Sequence, residues 1–336
     1  MRNVTIIGAG SFGTALATVL DTAGNTVQIW AREQEVVDGI NNDHRNPAYL
    51  TDLELPKSIK AYNNLEHCLM DQDMIIFATP SHTLREVAAK IKPCLDGHEI
   101  LVVVSKGIEN DTFKTMSQIL VEVMEGTTYE DNIGVLYGPS HAEEVALLKP
   151  TTVVAAAYST RTARLIQDTF MTPMFRVYLN NDIKGVEVGG SVKNIMAIAA
   201  GVIDSAELGD NAKAALITRG LHEMKRMGVM LGAYAETFSG LTGMGDLIVT
   251  CTSQHSRNRY VGHQIGLGKK LDEIIKSMRM VAEGIKTTKS VHDWAVANNV
   301  DMPITAAVYK VLFEDVDPKD ALNALMTRDP KDEVSL

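Results

Sequence analysis

The first residues of the chain place the tightest constraint on its fold. Val4-Thr5-Ile6-Ile7 is a short apolar run rich in β-branched residues, and it leads directly into Gly8-Ala9-Gly10-Ser11-Phe12-Gly13. Ala15, Leu16, Val19 and Leu20 follow at helical spacing. The pattern is strand, glycine turn, helix. Gly8 permits a tight turn, Gly10 lets a pyrophosphate approach the backbone, and Gly13 allows the helix to pack close to the strand. The helix start then offers free N–H groups to an anion. An isolated GxGxxG is a weak signal, but this one stands in the strand-and-helix context that dinucleotide binding requires. The competing reading is a glycine turn with a purely structural role.

The following stretches read as a sheet. Val27-Gln28-Ile29-Trp30 is the expected second strand, and Arg32 follows its carboxyl end, where a ribose 2′-substituent is read. A guanidinium there favours the 2′-phosphate of NADP(H), whereas the neighbouring Glu33 disfavours it, so both NADP(H) and NAD(H) stay open. Met74-Ile75-Ile76-Phe77-Ala78-Thr79-Pro80 and Glu99-Ile100-Leu101-Val102-Val103-Val104-Ser105 are continuous apolar runs bounded by breakers, as in strands buried on both faces of a parallel sheet, with a helix expected over 83–91. Lys106 follows the second run, at the kind of strand end where open parallel sheets bind ligands. Ile133-Gly134-Val135-Leu136-Tyr137 is a further strand. The spacing from Ser140 to Glu143 after it predicts a helix start with a capping box. A strand over 151–156, a helix over 160–170 and Phe175-Arg176-Val177-Tyr178 complete the sheet-forming part.

From about residue 181 the pattern is helical. The chain therefore reads as α/β: a Rossmann-type doubly wound sheet over 1–180, followed by an all-α domain over 181–336. The second part opens on Gly-Val-Glu-Val-Gly-Gly-Ser-Val-Lys-Asn-Ile-Met-Ala-Ile-Ala-Ala-Gly at 185–201, a buried or nearly buried helix by its spacing of Val188, Val192, Ile195, Met196, Ala199 and Ala200. One lysine, Lys193, stands inside it. A buried ammonium requires a partner, a ligand or a proton-transfer task, unless it snorkels out along the helix flank. Glu187 is too far along the helix to pair with it. Gly240-Leu241-Thr242-Gly243-Met244-Gly245-Asp246 reads as a tight loop carrying Asp246, and Ser256-Arg257-Asn258 brings a hydroxyl, a cation and an amide together.

Composition narrows the function classes. A net charge of -10 and a pI near 5.4 argue against a broad nucleic-acid surface. Cys68, Cys94 and Cys251 are widely spaced and form neither a disulfide framework nor a metal-ligand pattern, which suits a reducing cytoplasm, and no metal is expected. The amino end could be mistaken for a signal peptide, but its glycines interrupt the apolar core. No later run is read as approaching the roughly 20 apolar residues of a membrane span, so no membrane insertion is expected.

The chain resembles the bacterial NAD(P)-dependent glycerol-3-phosphate dehydrogenases over essentially its full length. The resemblance rests on the glycine turn at 8–13, Ser105-Lys106-Gly107, Gly138-Pro139-Ser140-His141-Ala142, Val188-Gly189-Gly190-Ser191-Val192-Lys193-Asn194, Leu241-Thr242-Gly243-Met244-Gly245-Asp246, Ser256-Arg257-Asn258 and Val281-Ala282-Glu283-Gly284. It implies reversible reduction of dihydroxyacetone phosphate to sn-glycerol 3-phosphate, the backbone precursor of glycerophospholipids. By matching motif, Lys193 is implied as the catalytic proton donor. Lys106, Gly138, Ser140, Lys193, Asp246, Ser256, Arg257 and Asn258 are implied to line the substrate. Gly8, Gly10, Ser11, Phe12, Gly13, Arg32, Tyr49, Lys106, Ala142, Arg257, Val281 and Glu283 are implied at the cofactor. Tyr49 rests on the thinner match Asn46-Pro47-Ala48-Tyr49-Leu50. Many relatives carry a second basic residue after the one matching Arg32, and Glu33 departs from that pattern. A homodimer is the expectation from the apolar helices of the second domain.

The residue types suit that chemistry independently. Hydride arriving at a ketone carbon leaves a developing alkoxide, which needs a positive charge and a proton; a lysine supplies both when its pKa is lowered toward the operating pH. Asp246 can accept from a substrate hydroxyl and help hold Lys193, while Arg257 can grip a phosphate in fork geometry. A reductase of another small phosphorylated or carboxylated keto compound fits the same fold. A nicotinamide-nucleotide sensor without turnover would need the glycine turn, but not Lys193, Asp246 and Arg257 together.

Overall fold

The computed structural model describes residues 1–278, 280–330 and 332–333. The chain divides into two compact units. The first comprises Met1–Lys106 and Thr115–Val186, the second Gly107–Lys114 and Glu187–Leu336. The division thus falls six residues later than 180/181, and the chain also leaves the first unit briefly after Lys106. Hydropathy gives no sign of that excursion, because a segment of 107–114 is too short to carry a periodicity of its own.

The first unit is built on one eight-stranded sheet: β1 (Asn3–Ile7), β2 (Thr26–Trp30), β3 (Lys60–Tyr62), β4 (Met74–Phe77), β5 (Ile100–Val103), β6 (Ile133–Tyr137), β7 (Thr151–Ala157) and β8 (Phe175–Asn180). Their spatial order is β3-β2-β1-β4-β5-β6-β7-β8, so the chain winds outward in both directions from β1. The register aligns Ile29, Ile6, Ile76 and Val102 across four strands. All four are fully buried. Leu16 and Leu20, from the helix Ser11–Thr22, join this core. Leucine and isoleucine side chains removed from water in this way each stabilise the unit by about 1.5–3 kcal/mol.

Two features of the sheet depart from the sequence reading. β3 is a three-residue edge strand, Lys-Ala-Tyr, too short and polar to give an apolar run. β7 runs antiparallel to β6, although β8 is again parallel to β7. Strand direction leaves no mark in a wholly buried run, whose side chains are apolar either way. β8 alternates: Phe175 and Val177 are buried while Arg176 and Tyr178 are exposed, as expected where one face is covered.

The second unit is helical among its described residues. Its central element is the long helix Ile183–Ser205, which enters the unit at Glu187. Residues 185–198 are buried without exception, so this helix is enclosed all round rather than on one stripe, with Glu187, Ser191, Lys193 and Asn194 as its buried polar residues. Val192 and Met196 share a core with Met224, Phe238, Leu247 and Val291. By length and composition this helix could cross a membrane, which corrects the expectation that no run approaches that size. Yet 89% of its apolar window is buried inside the protein, the character of a core helix.

Candidate active site

In the first unit the carboxyl ends of β1, β4, β5 and β6 carry the expected ligand-facing residues. Gly8 takes a φ of +116°, and a Cβ there would lie 2.9 Å from the carbonyl of Ala78, so the turn after β1 demands glycine twice over. A Cβ on Gly13 would lie 2.1 Å from the Gly8 oxygen, which is the close helix-to-strand packing read from the sequence. Gly10 differs, because a Cβ there would meet nothing within 4 Å. Protein packing does not explain that glycine, whereas a backbone that must be approached by a ligand does. The helix Ser11–Thr22 starts at Gly10 with no side-chain cap and no acidic residue in its first turn. Its first N–H groups, with the positive end of the helix dipole, suit a pyrophosphate. The hydroxyl of Thr79, just past β4, is buried without a partner among the described residues. These features fit a dinucleotide.

Around the β5 and β6 ends, Lys106 Nζ donates to the carbonyl oxygen of Gly138 at 2.9 Å and lies 5.8 Å from the centre of the Tyr137 ring. Ser140 Oγ donates to the same oxygen at 3.0 Å. The Gly138 carbonyl therefore gathers Lys106 and Ser140. The expected capping box does not form. The helix Ala142–Ala146 starts after His141, and the Ser140 hydroxyl is turned back toward Gly138 rather than forward onto the helix.

In the second unit Lys193 does not snorkel. Its side chain is 7% exposed, and its ammonium donates to the Asp246 carboxylate, itself 1% exposed. It also donates to Thr250 Oγ1 at 2.7 Å. The Thr250 hydroxyl in turn lies 2.5 Å from the Asp246 carbonyl oxygen, one helical turn back. A partner carboxylate with added hydrogen bonds is what offsets the desolvation of a buried ammonium. Gly189 sets the spacing. It lies one turn before Lys193, and a Cβ on it would be 2.6 Å from the carbonyl oxygen of Thr242. The long helix can therefore lie against the backbone of 241–245 and present Lys193 to the residue that follows. That segment is a π-helical turn leading straight into the helix Asp246–Thr252. This corrects the expected loop: Asp246 is the first residue of a helix.

Ser256 caps the helix Arg257–Gly266 by accepting from Arg259 N at 3.2 Å. Asn258, buried in the first turn, accepts from Gly284 N at 2.9 Å. Arg257 is exposed and donates to the carbonyl oxygen of Val281 at 3.1 Å. Glu283 opens the helix Glu283–Ala297. A Cβ on Gly284 would meet both Asn258 Oδ1, at 2.7 Å, and the Asn194 carbonyl oxygen, at 2.8 Å. The Lys193 helix and the 256–258 cluster thus converge on Gly284.

Residues 3–163 match the family model for the NAD-dependent glycerol-3-phosphate dehydrogenase N-terminus, and 182–323 match that for its C-terminus. The chain is 52% identical over 331 residues to glycerol-3-phosphate dehydrogenase [NAD(P)+] 2 of Salinibacter ruber, covering 98% of this chain and 96% of that protein. The chain belongs to the NAD-dependent glycerol-3-phosphate dehydrogenase family. The corresponding enzyme of Staphylococcus haemolyticus is 49% identical, with coverage of 99% and 100%. The crystal structure of glycerol-3-phosphate dehydrogenase from Coxiella burnetii superposes with a TM-score of 0.92 at 37% identity, covering 97% of this chain and 99% of that one.

Within this dehydrogenase the expected residues therefore fall into separate sets. Gly8, Gly10, Ser11, Phe12 and Gly13 form the turn of the first unit; Tyr49 donates its backbone N–H to Asn46 Oδ1 at 3.0 Å; Ala142 opens its own short helix. Arg32 is 83% exposed and is held by Glu33, to which it donates from Nε at 2.9 Å and from a terminal nitrogen at 2.7 Å. Lys106, Gly138 and Ser140 form one cluster. Lys193 and Asp246 form another. Sequence reading missed Thr250, four residues after Asp246, because reading 240–246 as a loop hid the helical spacing that puts them on one face. It also missed Asn46 as more than part of a motif. Cys251, next to Thr250, is no nucleophile: burial pushes its thiol up to about 12.

Proposed function

We propose that this dehydrogenase uses Lys193 to donate the proton when dihydroxyacetone phosphate is reduced to sn-glycerol 3-phosphate. The carrying observation is the buried pairing of Lys193 with Asp246 and Thr250. A dinucleotide held by the 8–13 turn would supply, as NADH or NADPH, the hydride for the carbonyl carbon. Lys193 stabilises the negative charge developing on the carbonyl oxygen and transfers a proton from Nζ to it. In the oxidative direction the neutral amine accepts that proton from the substrate hydroxyl. Asp246 and Thr250 restrict where Nζ can sit, so less positional entropy is lost when the transition state forms.

The roles of the other residues follow from their chemistry. Arg257 suits the substrate phosphate as a planar fork donor, with Ser256 and Asn258 beside it. Lys106, fixed through the Gly138 carbonyl, provides a further cation for the substrate. The 8–13 turn and Tyr49 hold the dinucleotide, and Arg32 reads the ribose. We assign the enzyme to the cytoplasm as a homodimer, supplying the glycerol phosphate backbone of glycerophospholipids.

A coupled absorbance assay with dihydroxyacetone phosphate and either reduced cofactor tests the reading. Oxidation of the cofactor that saturates with this ketone is expected. No turnover with it, alongside turnover with another small keto acid or keto phosphate, would reassign the substrate.

A further inference from the structure

Asn46 is fully buried in the first unit, and its carboxamide uses all of its hydrogen-bonding capacity. Its Nδ2 donates to the Ala9 carbonyl oxygen at 2.8 Å and to Thr14 Oγ1 at 2.9 Å. Its Oδ1 accepts from the backbone N–H groups of Ala48 and Tyr49, each at 3.0 Å. One side of the amide is thus bonded to the glycine turn and the helix that follows it. The other closes a tight turn over 46–49.

The surrounding backbone needs such a fixture. His44 and Leu50, on either side of the turn, have φ values of 53° and 55°, a left-handed conformation that costs non-glycine residues energy. Pro47 packs so closely on Gly39 that a Cβ there would lie 2.7 Å from its Cδ. The Ala9 carbonyl belongs to the peptide unit that ends at Gly10 N. The bond from Asn46 to this oxygen therefore fixes the plane of a peptide in the very stretch that must face the pyrophosphate.

We propose that Asn46 is a positioning residue of the dinucleotide site, one carboxamide setting both the anion-facing backbone of the 8–13 turn and the placement of Tyr49. The inference rests on reading that turn as the dinucleotide site. It assigns Asn46 no contact with substrate or cofactor and no part in proton transfer.

The test compares Asn46→Ala, Asn46→Asp, Thr14→Val and Gly10→Val in the full-length enzyme. It measures NADH and NADPH dissociation constants by fluorescence, Michaelis constants for both substrates, and melting temperature. Asn46→Ala should weaken both cofactors by about tenfold or more through loss of the four bonds, with the Michaelis constant for dihydroxyacetone phosphate nearly unchanged. Asn46→Asp keeps an acceptor for Ala48 and Tyr49 but sets a carboxylate against the Ala9 oxygen, close to where the pyrophosphate binds. It should weaken cofactor further than Ala does, and the excess should shrink as salt is added. A merely structural Asn46 would lower the melting temperature of both variants without this charge-dependent loss, and unchanged cofactor affinity in the folded variants would overturn the proposal. If Asn46→Ala does not fold, Thr14→Val decides, because it removes one acceptor of the same clip at little change in volume; it should shift cofactor affinity in the same direction, and no shift would overturn the proposal. Gly10→Val tests the underlying reading separately: cofactor binding that survives it would remove the glycine turn from the site, whatever Asn46 does.

Discussion

The ammonium of Lys193 and the carboxylate of Asp246, 53 residues apart in the chain, are paired in a part of the helical unit almost closed to water. The pair is local to two backbones. Gly189 brings the long helix against Thr242, and each of those residues lies four positions before its member of the pair. Position and charge are set together.

This pairing sets what Lys193→Met should do. Turnover should fall by about 10²–10⁴ through loss of the proton donor, with cofactor affinity nearly unchanged. The substitution also leaves Asp246 as a buried charge without its partner, a loss of about 3–5 kcal/mol in stability. Adding Asp246→Asn should recover much of the melting temperature and none of the turnover. Near-normal turnover in a folded Lys193→Met enzyme would remove the lysine from the mechanism.

Thr250→Val should separate positioning from proton supply. The ammonium and Asp246 both remain, but the 2.7 Å bond that helps fix Nζ is gone. Turnover should fall by about ten- to a hundredfold, short of the full loss in Lys193→Met, because one hydrogen bond from an ammonium to a hydroxyl contributes about 1.5–3 kcal/mol. Steady-state kinetics of the two variants side by side make the check, and equal losses would show that the hydroxyl acts in the chemical step itself.

Arg32 and Glu33 predict opposite shifts in cofactor choice. The two side chains are exposed and bonded to each other, so a 2′-phosphate must draw Arg32 away from Glu33. Arg32→Ala should raise the Michaelis constant for NADPH about three- to tenfold and leave that for NADH nearly unchanged, since solvent screens a contact at such a site. Glu33→Gln should lower the NADPH value. Equal effects on both cofactors in the two variants would show that neither residue reads the phosphate.

Arg257→Lys keeps the charge and loses the fork. The Michaelis constant for dihydroxyacetone phosphate should rise about tenfold or more, because an ammonium cannot make the planar two-point contact with phosphate. Unchanged kinetics would take Arg257 out of the phosphate site.

Glu223 gives the helical unit a pH dependence. Its carboxylate accepts from Ile304 N at 2.6 Å and from Thr305 N and Oγ1 at 3.1 and 3.0 Å, yet burial outweighs these bonds and pushes its pKa up to about 7. The folded protein holds this proton more tightly than the unfolded chain does. The resulting stability is complete below the unfolded carboxylate pKa and is lost as pH rises through about 7. Between about pH 5 and 8 the loss from this group should be on the order of 3 kcal/mol. Glu223→Gln, neutral throughout, should flatten the fall in melting temperature over that range. An equally steep profile would place the titration elsewhere.

Local patterning was enough for the strand–glycine turn–helix start, the buried runs of β4, β5 and β6, and the buried helix around Lys193. Each of these is recorded in local spacing: period two or unbroken apolarity for strands, glycines where φ or close packing excludes a side chain, and a lone charge inside a run that must be buried. That is why the need for a partner to Lys193 was legible, while the nearby Glu187 could be set aside on helical geometry alone. That the partner is Asp246, joined by Thr250, emerged only from the folded arrangement. The same arrangement decided that β7 runs against β6 and that Asn46 ties a distant turn to Ala9. These are contacts between residues tens of positions apart, fixed by which backbones approach closely enough, and no pattern within a window of sequence carries that information. The Ser140 hydroxyl marks the limit from the other side: its spacing to Glu143 matched a helix cap, but the Gly138 carbonyl captured it instead.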